Sequence, residues 1–196
     1  PLDTKLLRDR LCGVSEADHL MVYAGSLAKV RGVEDVIASL PSLPSAHLCL
    51  ITRPSSYVRY LQNLAEELMV GFRLHIVPYV SPEQVCEYLS TADIALIPFH
   101  AAFNHEISLP SKFGEYLGAQ LPILASDLGE YAEAIKSHKL GVIFKPNDAP
   151  SFIEAFNVIK SDLAYYRMNA GNFFSANSYS LTWQKSEDTL IELYSK

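Results

Sequence analysis

Residues 19–40 read HLMVYAGSLAKVRGVEDVIASL, a strand, a turn and a helix in direct succession. The segment His19–Ala24 is continuously apolar at its centre, Leu20-Met21-Val22-Tyr23, as expected of a strand buried on both faces. Glycine and cations follow at Gly25, Lys29 and Arg31. From Gly32 to Leu40 the residues Val33, Val36, Ile37 and Leu40 recur on one helical face. Such a triplet opens a βαβ unit.

The alternation continues along the chain. Apolar runs stand at His47–Thr52, Arg73–Val77, Asp93–Pro98, Pro122–Ser126 and Gly141–Phe144. Helical patterns separate them. Ser56–Met69 gathers Val58, Leu61, Leu64, Ala65 and Leu68 on one face, and Ser81–Thr91 starts with a cap, a proline and an acid. Pro110–Ala119, Glu130–Ser137 and Ala149–Ser161 complete the set, and two further helices are expected at Asp162–Phe174 and Leu181–Tyr194. The expected fold is α/β: a doubly wound, mostly parallel six-stranded Rossmann-like sheet.

Composition narrows the function classes. The 196 residues are 49% hydrophobic and 19% charged, enough apolar material for one core and one domain. A formal charge of −6 argues against a sequence-independent nucleic-acid binder, which needs a basic face. Cys12, Cys49 and Cys86 form neither a zinc pattern nor a disulfide framework, which suits a reducing, cytoplasmic compartment. No apolar run approaches the ~18 residues of a membrane span, and no signal peptide is legible. A peripheral place on the cytoplasmic face of a membrane stays compatible with this. The chain starts with Pro1, so it is expected to begin inside a longer protein.

In an open parallel sheet, ligands bind beyond the carboxyl ends of the strands. After the first run, Gly25 lets the backbone turn closely under a ligand, Ser26 follows, and Lys29 and Arg31 bring positive charge to a helix N-terminus. Glycine, cation and helix dipole together suit a diphosphate. The same residues also suit a plain βα turn with two solvated cations. Neither GxGxxG nor a Walker loop is present. After the fourth run comes Asn104 to Leu117. There Ser108 or Leu109 precedes a helix with Pro110 in its first turn, so the Ser111 and Lys112 amides are free to meet an anion. Glu115, one turn further on, could accept two ribose hydroxyls or could be an ordinary surface acid.

Taken in order, these segments resemble glycosyltransferase family 4 of the GT-B fold, from about Leu7 to the end of the chain. Tyr23-Ala24-Gly25-Ser26-Leu27 with Arg31-Gly32-Val33-Glu34 is similar to the family's opening. Val80-Ser81-Pro82-Glu83, then Tyr88-Leu89 and Ala92-Asp93-Ile94, resembles its third-helix and fourth-strand segment. Pro110-Ser111-Lys112-Phe113-Gly114-Glu115-Tyr116, then Leu121-Pro122-Ile123, looks like the branch reading Pro-x-Lys-x-x-Glu-Tyr. Leu181-Thr182-Trp183 with Tyr194 resembles the helix that crosses back to the other domain.

The resemblance implies the carboxyl-terminal half of a two-domain enzyme. Residues 1–196 would be a single donor-binding domain, 178–196 the crossover helix, and the amino-terminal acceptor domain would lie outside this chain. The activity implied is retaining transfer of a sugar from a nucleotide diphosphate donor to a glycan, lipid or small-molecule acceptor, with no metal required. Gly25, Ser26 and Arg31 fall at the diphosphate, Tyr79 and Val80 beside the base, and Glu115 at the ribose. Three departures stand out. Eight positions before Glu115, where the family has its first glutamate, stands Ile107, with Glu106 beside it. Ser26 occupies the place of the family's arginine, so Lys29, Arg31 or Lys112 must supply catalytic charge. Arg53 replaces a glycine near the base.

Other readings are weaker. His100, His105 and Glu106 share a loop but lack the helical histidine pair or cysteine pair of a metal site. Cys49 and Cys86 fall in a strand and an amphipathic helix, where free thiols act as small hydrophobes. A sugar-nucleotide epimerase on the same fold, or a scaffold domain that has lost catalysis, remains open.

Overall fold

In the computed structural model, the residues described are Arg8, Leu11, 13–102 and 110–181, with the side chains of 82–83 and 178–181 left aside. Six strands form one sheet: β1 (His19–Ala24), β2 (Ala46–Thr52), β3 (Leu74–Pro78), β4 (Ile94–Ile97), β5 (Ile123–Ser126) and β6 (Gly141–Phe144). Their order is β3-β2-β1-β4-β5-β6, and every neighbouring pair is parallel. The chain winds outward from β1 to β3, crosses back, and winds the other way from β4 to β6. The reversal lies between β1 and β4, where a crevice opens at the strands' carboxyl ends.

Burial follows the sheet order. Strands β2, β4 and β5 are buried throughout and β1 nearly so, whereas the edge strands β3 and β6 are mostly half-buried. The apolar centres Leu20–Tyr23, Leu48–Ile51 and Ile94–Ile97 all sit in the interior, where each buried aliphatic side chain contributes ~1.5–3 kcal/mol.

The helices are α1 (Val33–Ser39), α2 (Ser56–Glu67), α3 (Pro82–Leu89), α4 (Ser111–Gly118), α5 (Gly129–His138), α6 (Ala149–Ser161) and α7 (Leu163–Leu181). Helix α1 packs on α2 and α6, while α4 packs on α3 and α7. Capping side chains start two of them: Ser55 accepts the Val58 amide at 3.2 Å, and Asp148 accepts that of Ser151 at 2.9 Å. Ser81 does occupy the cap position of α3, but its hydroxyl faces Gln84 Oε1 at 3.5 Å rather than a helix amide.

Several boundaries differ from the periodicity. Gly32 is the cap of α1 at φ 66°, so that helix begins at Val33. Helix α2 stops at Glu67 because the chain reverses through Met69 at φ 56°. Arg73 does not start a strand; it closes a 3₁₀ turn, Gly71–Arg73. Its buried guanidinium donates to the carbonyls of Leu43 at 2.6 Å and Ala46 at 3.3 Å. Helix α7 runs on to Leu181, seven residues past the expected end at Phe174, and the helix expected at Leu181–Tyr194 lies, but for its first residue, outside the described part. Residues 182–196, including Trp183, Leu190 and Ile191, lie outside the described part.

Candidate functional site

The crevice at the β1–β4 reversal holds a cavity of about 400 Å³. Its walls come from the ends of β1 to β4, with Ile51 from β2, from the start of α4, and from Val85 of α3. The loop after β1 contributes Gly25, Ser26 and Arg31, the β3 loop Tyr79 and Val80, and the β4 loop Phe99. The start of α4 contributes Pro110, Ser111, Lys112 and Glu115.

Backbone geometry fixes the β1 loop. The Gly25 amide donates to the Ile51 carbonyl at 3.0 Å, and Gly25 turns at φ 126°, a conformation that L side chains rarely adopt. One residue earlier, the Ala24 amide donates to the buried Tyr116 hydroxyl at 3.1 Å, which ties β1 to α4. The loop then closes into a 3₁₀ turn, Lys29–Arg31. Across the crevice Pro110 is the cap of α4, one or two residues later than expected, and Ser111 is its first helical residue. The amides of Ser111 and Lys112 thus sit in the first turn, where a helix offers no internal acceptors.

Two cations share one aromatic platform. The Arg31 guanidinium lies 4.7 Å and the Lys112 ammonium 5.0 Å from the Phe99 ring centroid. Lys112 also sits 3.8 Å from the Tyr23 ring centroid, and its side chain is almost wholly buried, at 8% exposure. Burial, and then repulsion from Arg31, pushes the Lys112 pKa down to about 7, against the pull of Glu115. The Glu115 carboxyl moves the other way: burial raises its pKa, while Lys112 opposes the rise. An anion entering here would find two cations, first-turn helix amides and a tight glycine turn, with a half-buried carboxylate one helical turn away.

Most residues named from the sequence meet in this cavity: Gly25, Ser26, Arg31, Tyr79, Val80, Ser111, Lys112 and Glu115 all line it. Lys29 and Arg53 do not belong to that lining and are exposed. The Arg53 guanidinium nevertheless stacks at 4.9 Å over Tyr79, at the cavity's edge. Glu106, Ser108 and Leu109 lie outside the described residues. Phe99 and Tyr23 were not singled out as functional. Phe99 stands two positions beyond β4, and its place at a strand's carboxyl end was the signal available.

Elsewhere, three of the described histidines have polar partners. His100 Nε2 lies 2.8 Å from Asp35, and His47 Nδ1 lies 2.9 Å from His75 Nε2 in a stacked pair. Among the described residues, no group of three or more His, Cys, Asp or Glu is placed to hold a metal ion. No described helix is long and apolar enough to cross a membrane.

A doubly wound parallel sheet with a cation-lined crevice at its topological reversal is the open α/β architecture in which ligands bind beyond the strands' carboxyl ends. The sequence profile of the family described as glycosyl transferases group 1 matches residues 13–172, so the chain belongs to that family. It is similar to an uncharacterized glycosyltransferase of Methanocaldococcus jannaschii, 22% identical over 191 residues, covering 94% of this chain and 47% of the relative. It is equally similar to a D-inositol 3-phosphate glycosyltransferase of Geodermatophilus obscurus, 22% identical over 206 residues, covering 99% of this chain and 44% of the relative. The chain thus spans about half the length of these curated relatives.

Solved structures share the fold. The Anabaena protein HepE, crystallised with UDP-glucose, superposes with a TM-score of 0.83 at 17% identity, covering 100% of this chain and 53% of its own. Sucrose-phosphate synthase of Thermosynechococcus elongatus gives a TM-score of 0.80 at 20% identity, covering 98% and 47%.

Proposed function

We propose that this chain is the donor-binding domain of a glycosyltransferase that takes a sugar from a nucleoside diphosphate and passes it, with retention, to an acceptor held by another domain. The observation that carries this reading is the convergence of Arg31 and Lys112 over Phe99, beside the N-terminus of α4. Cleaving the sugar–phosphate bond leaves negative charge on the departing diphosphate. Fixed cations and amides aimed at that charge lower the barrier, each donor contributing about 3–4 kcal/mol where such donors have been removed. Arg31 and Lys112 fill this role, in place of the arginine that Ser26 lacks, and no metal is needed for it. Lys29, exposed on the turn, adds only screened charge.

Glu115 takes the ribose hydroxyls, and Tyr79 with Val80 takes the base, covered by Arg53. Support for a nucleotide sugar comes from the relatives: the HepE structure contains UDP-glucose. The acceptor is a glycan, a lipid or a small molecule. The enzyme works in the cytoplasm or on its membrane face, in keeping with the free thiols of Cys49 and Cys86. These residues alone bind donor and transfer nothing, because the wall that excludes water and orients the acceptor comes from the second domain.

Calorimetric titration with UDP, GDP and ADP tests the reading. One of the three should bind in a single site, and Arg31→Ala should weaken it on the order of tenfold while nucleoside binding is spared. Binding of none of them, or a loss below about twofold in Arg31→Ala, overturns the assignment.

A further inference from the structure

Behind Arg31 two loops are joined by four separate contacts. The His100 amide donates to the Val30 carbonyl at 3.0 Å. His100 Nε2 lies 2.8 Å from Oδ2 of Asp35, in the first turn of α1. The Arg31 guanidinium stacks on Phe99 at 4.7 Å. Gly32 passes so close to the β4 loop that a Cβ there would overlap the Pro98 carbonyl oxygen and stand 2.9 Å from His100 Cδ2. Of these residues only Arg31 and Phe99 line the cavity.

The turn that carries Arg31 is itself short. It is three residues of 3₁₀ helix, closed by Arg31 N–H to Ala28 at 2.8 Å and Gly32 N–H to Lys29 at 3.1 Å, and it buries none of its own residues. Short 3₁₀ segments have poor hydrogen-bond geometry and depend on their surroundings. The neighbouring acid, Glu34, accepts from the Tyr57 hydroxyl, which leaves Asp35 to His100.

We propose that His100 is a positioning residue: through Asp35 it clamps the Lys29–Arg31 turn to the loop after β4 and so presets the Arg31 guanidinium for a nucleoside diphosphate. This rests on the nucleotide reading above. An arginine offered from a loose turn must lose its backbone and rotamer freedom as the ligand arrives. One seated on Phe99, on a clamped turn, has lost it beforehand and binds more tightly. His100 touches no ligand itself; its effect passes wholly through Arg31.

The full chain and its His100→Ala, His100→Gln, Arg31→Ala and His100→Ala/Arg31→Ala variants are titrated with UDP, GDP and ADP and with their parent nucleosides. His100→Ala should lose roughly tenfold in diphosphate affinity and leave nucleoside affinity unchanged. His100→Gln keeps a nitrogen where Nε2 stands and should recover to within about threefold of wild type. The double variant should bind no more weakly than Arg31→Ala alone, because the two act as one unit. If His100→Ala does not fold, Asp35→Asn weakens the same bond from the other side and replaces it. Diphosphate affinity within about twofold of wild type overturns the clamp, as do equal losses for nucleoside and diphosphate. If wild type binds none of the three diphosphates, the nucleotide reading falls and the clamp falls with it.

Discussion

The Lys112 ammonium rests 3.8 Å from the centre of the Tyr23 ring and 5.0 Å from that of Phe99, nearly sealed from solvent. A charge in such a place is costly for the empty protein and valuable to a bound anion. Tyr23, Phe99, Arg31 and Glu115 surround it, from β1, the β4 loop, the β1 loop and α4 itself.

Lys112→Met should therefore stabilise the protein and abolish tight diphosphate binding together. The folded pKa of Lys112, about 7, lies below its ordinary value of 10.5. Between those values the unfolded chain holds more protons, so stability rises with pH across that window. Thermal melts at about pH 8 should show a higher Tm for Lys112→Met than for wild type. A lower Tm would mean that the ammonium is held by favourable partners instead.

Ligand affinity should carry the same titration with the opposite sign. A bound diphosphate raises the Lys112 pKa, so binding takes up a proton above about pH 7, and affinity falls by up to about tenfold per pH unit as pH rises. Calorimetry in buffers of different ionisation enthalpy should detect this uptake in wild type and not in Lys112→Met. Equal heats in all buffers would remove Lys112 from the binding site.

Glu115→Gln keeps the shape of the side chain but not its charge. It should weaken ribonucleoside diphosphates on the order of tenfold and spare analogues that lack both ribose hydroxyls. Equal losses for both ligand types would make Glu115 a structural residue.

How much of this was legible in the sequence depended on burial. Central strands such as Leu48–Ile51 declare themselves because both faces are apolar, and α6 matches its expected span because Phe152, Ala155, Phe156 and Ile159 recur on one face behind the Asp148 cap. Helix starts were off by a residue or two where φ decided them: Gly32 caps α1 through a left-handed turn that no periodicity encodes. The cations were recognised as a group, yet nothing in the spacing separates buried Lys112 from exposed Lys29. That difference comes from the packing of Tyr23 and Phe99, which are remote from Lys112 in sequence. His100 shares its loop with His105 and Glu106, a grouping without metal-site spacing, and its bond to Asp35 spans 65 positions.

Gly32→Ala should be among the more damaging single substitutions. It places a Cβ at φ 66° and against the Pro98 carbonyl, so the cost combines a left-handed conformation with a backbone clash, on the order of 2 kcal/mol or more. Urea melts measure it. A loss below about 0.5 kcal/mol would mean that the two loops can separate freely.

Occupancy of the cavity is tested most directly by a crystal structure of this chain with whichever nucleoside diphosphate binds it. The diphosphate should lie between Arg31, Lys112 and the first amides of α4, with the ribose hydroxyls on Glu115 and the base against Val80. A nucleotide bound elsewhere, or one whose phosphates point away from Arg31 and Lys112, would contradict the assignment of this crevice as the donor site.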